Sequence, residues 1–221
     1  MASGNFTGLG YGHSVYIHAG PDLVEEYTSG GALRKEWIHG LTIDEPLRQR
    51  APDTADLDGD GDTAELVPLY YLTNSLGTVV ALVDAAGAAK ERYVYGAWGD
   101  IRDVLGKNGA STGAGWTLVG NPWTFTSRQF DFEERSGLYH YRTRAYGPSE
   151  GSFLQRDSIG TWGDRGSMGN PRAYVAGNPV NRLDPHGQSS LAKHAISGFK
   201  GWLEDGVAQW LSAESYDPVQ G

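Results

Sequence analysis

The residues most suited to chemistry lie in an acidic segment, DLDGDGDTAE, at positions 56–65. Oxygen donors recur there at every second position, and a glycine stands at the sixth position, as in a calcium-binding loop. The twelfth position is Val67 rather than glutamate, so a complete EF-hand is excluded. The segment predicts either a calcium-binding hairpin loop or an exposed acidic turn. Calcium is the only cofactor suggested, and its ligands would be Asp56, Asp58, Asp60 and Asp62.

Other binding and catalytic chemistry finds little support in the 221 residues. The absence of cysteine excludes disulfides, thiolate nucleophiles and cysteine-type zinc sites. No phosphate-binding loop, metalloprotease helix motif or Ser-His-Asp context is present. The net charge of −9 opposes non-specific nucleic-acid binding, so we expect no nucleic-acid partner. We expect no signal peptide, since MASG begins neither a basic nor an apolar segment.

Short strands separated by turns account for the pattern between residues 11 and 103. Leu69–Leu72, Thr78–Val83 and Glu91–Tyr95 are apolar and β-branched, and a glycine follows at each intervening turn. Gly77 and Gly87 stand where such turns need a positive φ. With 32 glycines, the chain is a poor candidate for a helix bundle. A mainly β protein, built as an antiparallel meander or a β-solenoid, is therefore predicted.

A second β-rich region follows a glycine-rich loop at 106–122, with strands expected in 123–130, 137–146 and 153–156. In the segment GLYHYRTRAY, aromatic residues and arginines alternate, which predicts one strand with a buried and a wet face. Arg142 and Arg144 would lie on the wet face. There they would either bind anions or pair with the glutamates at 133–134.

Only the C-terminal residues have a helical pattern. From Leu191 the apolar residues recur at helical spacing and include Phe199, Trp202 and Trp210, while the serines at 189–190 are suitable N-caps. A short amphipathic helix is predicted within 189–221. Its apolar face would dock on its own domain or meet a partner or a membrane, and we expect no other membrane contact.

Three segments resemble the rearrangement-hotspot (RHS) family. YYLTNSLGTVVALVDAAGAAKERYVYGAWGD resembles its YD repeats, and NPWTFTSRQFDFEERSGLYHYRTRAYGPSEGSFLQRDSIG resembles the RHS repeat-associated core domain. AYVAGNPVNRLDPHG is similar to the motif that closes that core. The resemblance implies the following organisation: a curved antiparallel YD-repeat sheet over 1–105 with an acidic loop at 52–66, the glycine-rich loop at 106–122, a core plug at 123–188 and the tail helix at 189–221.

In proteins of this family the repeats form a β-sheet shell around a C-terminal toxin or other cargo. The resemblance therefore implies that this chain is a fragment of such a shell, with the rest of the shell or a toxin as its partner. It also implies a secreted or cell-surface location in a bacterium. The alternative is a stand-alone adhesion or carbohydrate-binding module, in which Trp98, Trp116 and Trp123 stack on sugars. Burial of these rings in a curved sheet would favour the shell.

The resemblance further implies a single-turnover self-cleavage of the aspartyl-protease type. Asp157 in LQRDSIG and Asp184 in LDPHG match the family's two carboxylates, and Arg156 could assist them. Two carboxylates held close together suit this reaction because their pKa values are pushed apart, leaving one acid and one base. The alternative is that both aspartates only cap turns.

The closing motif ends at Gly187. The resemblance implies a cut just beyond it, between Gln188 and Ser189. This sequence departs from the family pattern at three positions. Ser158 stands where a proline usually follows the first aspartate, and Gln188 stands where an apolar residue usually precedes the cut. Gly147 stands where many members have aspartate.

Overall fold

The computed structural model divides the chain into two compact units, Met1–Ser136 and Gly137–Gly221. It describes residues 14–192 except 21, 43, 54–55, 114–116, 132–135, 161–168 and 189–190. Over these residues, no helix has the length and apolar character needed to cross a membrane. Residues 123–136, which the sequence analysis assigns to the core plug, belong to the first unit.

An antiparallel sheet of eight strands forms the first unit, and its strands lie side by side in chain order. This arrangement is the meander that the sequence predicts. The strands are β1 (Ser14–Ala19), β2 (Asp22–Thr28), β3 (Leu33–His39), β4 (Pro46–Pro52), β5 (Leu66–Thr73), β6 (Val79–Val83), β7 (Ala89–Tyr95) and β8 (Ile101–Gly106).

Irregular pairing bends this sheet. The register shifts in six of the seven strand pairs, and only β4 and β5 pair without a shift. A β-bulge bends its strand and increases the local twist, so repeated bulges curve the sheet. The linear strand order leaves the sheet open rather than closed into a barrel.

Side-chain amides and carboxylates close the turns on either side of β6. Asn74 Oδ1 accepts the main-chain N–H groups of residues 76 and 78, and Asp84 Oδ1 accepts those of residues 86 and 88. Gly77 and Gly87 adopt φ values of 74° and 81°. Both glycines therefore occupy the left-handed region that the sequence pattern requires.

The core of the first unit combines aliphatic side chains with two tryptophans and two tyrosines on one face of the sheet. Its buried members are Leu23, Trp37, Ala51, Leu57, Val67, Leu69, Tyr71, Val79, Leu82, Tyr93, Val104, Val119 and Trp123. Trp123 thus packs against residues of the sheet, which explains why the segment that follows the glycine-rich loop belongs to this unit.

A buried carboxylate, Glu91 on β7, holds the glycine-rich loop against the core. It accepts hydrogen bonds from the hydroxyls of Tyr93 and Thr117 and from the main-chain N–H groups of Leu118 and Val119. Burial raises the pKa of Glu91, and these four hydrogen bonds oppose that rise. These hydrogen bonds thereby fix the irregular main chain of the glycine-rich loop.

The second unit is built on two short hairpins and a cluster of aromatic rings. Strands β10 (Tyr139–Tyr141), β11 (Arg144–Gly147) and β12 (Ser152–Phe153) pair in chain order. Tyr139, Tyr141, Tyr146, Phe153 and Tyr174 are almost completely buried and contact one another. Farther along, β13 (Arg182–Leu183) pairs with β14 (Leu191–Ala192).

The structure corrects two predicted strands and the start of the predicted tail helix. Residues 125–127 form a 3-10 turn, so only β9 (Gln129–Phe130) is a strand in the predicted segment 123–130. The predicted strand 137–146 is a hairpin. Leu191–Ala192 form a strand where the tail helix was expected to begin, and the rest of that helix lies outside the described residues.

We predict that Glu91→Gln destabilises the chain by about 1–3 kcal/mol, because one acceptor oxygen is lost while its donors stay buried. Chemical denaturation measures this loss. The control is Glu36→Gln, since Glu36 is half-buried in ion pairs with Arg48 and Arg50 on the neighbouring strand. Ion pairs that remain partly exposed to solvent in this way contribute about 1 kcal/mol or less. Equal losses for the two variants would contradict the role given to Glu91.

The same variant should alter the pH dependence of stability. Because the folded-state pKa of Glu91 is raised, the folded wild type binds more protons than the unfolded chain between the ordinary pKa of 4.5 and the raised one. Its stability therefore falls as pH rises through that window, whereas glutamine does not titrate. We expect the stability gap between wild type and Glu91→Gln to be widest below pH 4.5 and to narrow above it; a gap that widens with pH contradicts this assignment.

Candidate active site

A two-residue turn in the second unit decides where Arg144 points. Tyr141 and Arg144 pair across the β10–β11 hairpin, and the turn between them opens at Arg142, which has a φ of 58°. Residues that pair directly lie on the same face of a sheet. Arg144 therefore shares the inner face of Tyr139 and Tyr141 and is buried, contrary to the prediction of a solvated arginine.

The guanidinium of Arg144 joins the two aspartates that the sequence singled out. Its Nη2 lies 3.1 Å from Asp157 Oδ2 and 3.2 Å from Asp184 Oδ2. The side chains of all three residues are at most 8% exposed. The carbon of the guanidinium also lies 3.5 Å from the ring centroid of Phe153, a cation–π contact. The two carboxylates, 27 positions apart in sequence, meet at one nitrogen.

Asp184 and Arg144 also hold the main chain at the end of the closing motif. Asp184 Oδ1 accepts the N–H groups of His186 and Gln188 at 3.3 and 3.0 Å. The carbonyl oxygen of Gly187 accepts hydrogen bonds from Arg144 Nε and, at 3.3 Å, from the Thr143 hydroxyl. A guanidinium and a hydroxyl on one carbonyl draw electron density toward its oxygen.

Gly187 has no room for a side chain in this arrangement. Its φ is 69°, and a Cβ atom would lie 2.3 Å from the carbonyl oxygen of Tyr141. The main chain of residue 187 therefore packs directly against the end of β10. Only glycine allows the carbonyl to reach Arg144 and Thr143 without displacing the hairpin.

Two of the three departures from the family pattern contact each other. Gln188 Nε2 donates to Ser158 Oγ at 3.0 Å, which ties the residue after the closing motif to the residue after Asp157. Arg156 is exposed, and the described residues record no contact between it and either carboxylate. Arg144 occupies the position that Arg156 was expected to fill. Ser189 lies outside the described residues.

The arrangement could promote hydrolysis of a nearby peptide bond. Burying two carboxylates together is costly, and a guanidinium that contacts both offsets part of that cost. The result is a site in which two largely buried carboxylates lie beside a main chain held at the carbonyl of Gly187 and at the N–H of Gln188. The hydrogen bond from the Ile159 N–H to Asp157 Oδ1, at 3.0 Å, is the turn-capping contact that the alternative interpretation expects. Capping and catalysis are compatible here, because a different oxygen of Asp157 contacts Arg144.

The acidic segment of the first unit gathers two overlapping groups of carboxylates. Asp53, Asp56 and Asp58 form one group, and Asp58, Asp60 and Glu65 form the other. In each group the oxygen atoms lie within 4.8 Å of one another. Asp62 is in neither group, whereas Asp53 and Glu65 were not among the expected ligands. Partial desolvation and the charges of the neighbouring aspartates raise the pKa of Glu65.

The tryptophans proposed for sugar stacking do not form an exposed set. Trp123 is buried in the core of the sheet, and Trp98 is half-buried. Trp116 lies outside the described residues. Because Trp123 has no free ring face, it is unavailable for a sugar.

Comparison with known proteins gives relatives that contain far more than this chain. No family model matches. The chain is 31% identical over 162 residues to the tRNA3(Ser)-specific nuclease WapA of Bacillus spizizenii, a match that covers 67% of this chain and 6% of the relative. It is also 31% identical over 142 residues to YlbH of Escherichia coli, covering 64% of this chain and 53% of the relative.

A solved structure shares the fold. A Photorhabdus luminescens Tc holotoxin pore matches with a TM-score of 0.54 and 20% identity over 79% of this chain and 7% of the matched chain. These similarities support a relation to RHS-family proteins in general. The chain spans a small part of the Bacillus and Photorhabdus proteins and about half the length of YlbH.

We predict that Gly187→Ala lowers the thermal stability of the chain more than Gly177→Ala does. The two glycines have similar φ values, 69° and 75°, but a Cβ at Gly177 meets nothing within 4 Å. Backbone strain alone costs on the order of 1 kcal/mol, and only Gly187→Ala adds the collision with Tyr141. Thermal unfolding followed by circular dichroism measures both variants. Equal shifts would mean that residue 187 is not packed against β10.

Proposed function

We propose that this chain is part of an RHS shell and that its second unit cuts the polypeptide between Gln188 and Ser189. The reaction is a single aspartyl-type hydrolysis by Asp157 and Asp184. One observation carries the proposal: the buried Arg144 contacts both carboxylates and the carbonyl of Gly187, one residue before the proposed cut.

In the proposed reaction a water molecule attacks the carbonyl carbon of Gln188. One of the two aspartates, as general base, accepts a proton from that water while the carbon–oxygen bond forms. The tetrahedral intermediate then breaks its carbon–nitrogen bond, and the other aspartate, which is protonated, gives its proton to the nitrogen of Ser189. The products are a carboxyl group at Gln188 and a free amine at Ser189.

The fixed geometry of the main chain beside the cut supports the proposed hydrolysis. An intramolecular reaction gains most when the reacting bond is held close to the attacking geometry. The carbonyl of Gly187, the N–H of Gln188 and the side chain of Gln188 are each held by a different partner. Ser158 and Gln188 stand where the family usually has other residues. The hydrogen bond between their side chains is a further contact beside the proposed cut.

The first unit supports the shell part of the proposal. Its sheet is curved by bulges, and its linear strand order allows further strands to be added at either end.

The proposed partners are the rest of the shell and a toxin cargo, and the proposed location is secreted or at the cell surface. In a longer protein that contains this chain, the segment after the cut should co-elute with the shell in gel filtration and resist added protease. Its separate elution would contradict enclosure, and absence of the protein from culture medium and cell surface would contradict the location.

The cleavage is tested by intact mass spectrometry of the purified chain. Wild type is expected to lose residues 189–221, whereas Asp157→Asn and Asp184→Asn stay at full length because asparagine cannot exchange the proton. Each asparagine variant keeps the size of the side chain and one acceptor oxygen. Circular dichroism verifies that the variants remain folded.

Two arginine variants form a matched pair for the same experiment. Arg144→Gln should abolish the cut, while Arg156→Gln, which alters the exposed neighbour of Asp157, should leave it unchanged. Full-length wild type after prolonged incubation, or cleavage that persists in either asparagine variant, would overturn the proposed reaction. A product shorter by one glutamine would instead place the cut at the Gly187–Gln188 bond, whose carbonyl Arg144 contacts, and would overturn the proposed position.

A further inference from the structure

A buried carboxylate in the first unit lacks a partner for one of its oxygens. Asp53 follows β4 directly and is 0% exposed. Its Oδ1 accepts the N–H of Leu57, whereas Oδ2 has no hydrogen-bond partner among the residues that the structure describes. A buried polar atom without a partner is unfavourable, and a buried carboxylate oxygen especially so. Either a bound group compensates the charge of Asp53, or the unpartnered oxygen lowers the stability of the folded chain.

The surroundings of Asp53 are suited to a cation. Carboxylate oxygens of Asp53, Asp56 and Asp58 lie within 4.8 Å of one another. Ca²⁺ binds oxygen at about 2.3–2.6 Å, so two oxygens bound to the same ion lie no more than about 5 Å apart. The spacing of the three carboxylates therefore meets the requirement for a shared ion. The exposed group of Asp58, Asp60 and Glu65 has no buried oxygen of this kind.

We propose that Asp53, Asp56 and Asp58 bind a calcium ion at the base of the β4–β5 loop. The three side chains offer only hard oxygen donors, which Ca²⁺ and Mg²⁺ prefer over softer metals. Irregular loop geometry favours Ca²⁺, because Mg²⁺ demands a nearly ideal octahedron and gives up its water reluctantly. Asp53 stands before the acidic motif itself, so the alternating aspartates supply only part of the site.

The loop is anchored in a way that would let an ion stabilise it. The N–H of Asp53 donates to the carbonyl of Glu65 at 3.0 Å, which closes the base of the loop. The Leu57 side chain is buried in the core, and Lys107 Nζ donates to the main-chain carbonyl of Asp56 at 2.7 Å. An ion held by Asp53, Asp56 and Asp58 would join this anchored base to the outer part of the loop.

Calcium binding is tested on the full chain by calorimetric titration and by thermal shift with CaCl₂ in 0.15 M NaCl. We expect a dissociation constant of about 10⁻⁴–10⁻³ M, the range of extracellular calcium modules, together with a rise in melting temperature. Asp53→Asn should weaken binding at least tenfold. The matched control is Asp62→Asn, which removes one negative charge from the same loop but lies outside both carboxylate groups, and it should bind like the wild type.

Each remaining outcome decides the matter. Absence of heat and thermal shift at several millimolar calcium overturns the proposal, as does equal weakening by Asp53→Asn and Asp62→Asn, which would indicate general attraction to an acidic loop. If Asp53→Asn fails to fold by circular dichroism, Asp56→Asn, which belongs to the first carboxylate group alone, replaces it. Unchanged binding in Asp56→Asn would then overturn the site, and a tenfold loss would support it.

Discussion

The second unit depends on the placement of one buried positive charge. Arg144 pairs with Tyr141 across the hairpin and packs against the ring of Phe153, and a guanidinium can be buried only if its donors are paired. Here its partners are Asp157, Asp184 and main-chain carbonyls, including that of Gly187. Segments far apart in sequence must therefore meet at the hairpin. The requirement to pair this charge brings the two carboxylates and the end of the closing motif together.

The first unit also buries an ionisable side chain, in this case an acidic one. Glu91 lies in the core, and its donors come from β7 and from the glycine-rich loop, which has no ladder of its own to satisfy its N–H groups. In both units a buried ionisable group holds irregular backbone that apolar packing alone would leave unspecified. Asp53 differs from Glu91 because one of its oxygens has no partner among the described residues. That difference separates a structural carboxylate from a candidate ligand.

Local signals predicted the repeats well and the candidate site only in part. The strands around β6 and their turns follow from apolar runs bounded by Asn74, Asp84 and their glycines, because each signal acts within a few residues. The hairpin at Arg142 was missed because its turn contains no glycine. The spacing held a clue: Tyr141 and Tyr146 are separated by an odd number of positions, so one continuous strand would place them on opposite faces. A two-residue turn restores them to the same face, and Arg144 turns inward with Tyr146.

The central claim is that the guanidinium of Arg144 assembles the site by direct interaction with the carboxylates. A double-mutant cycle between Arg144→Gln and Asp184→Asn, measured by chemical denaturation in the Asp157→Asn background, isolates this interaction. In that background the proposed self-cleavage is blocked, so all four proteins keep the same length. We predict a coupling energy of about 1–3 kcal/mol, the range for residues of one buried network. A coupling energy of zero in four folded proteins would contradict the account.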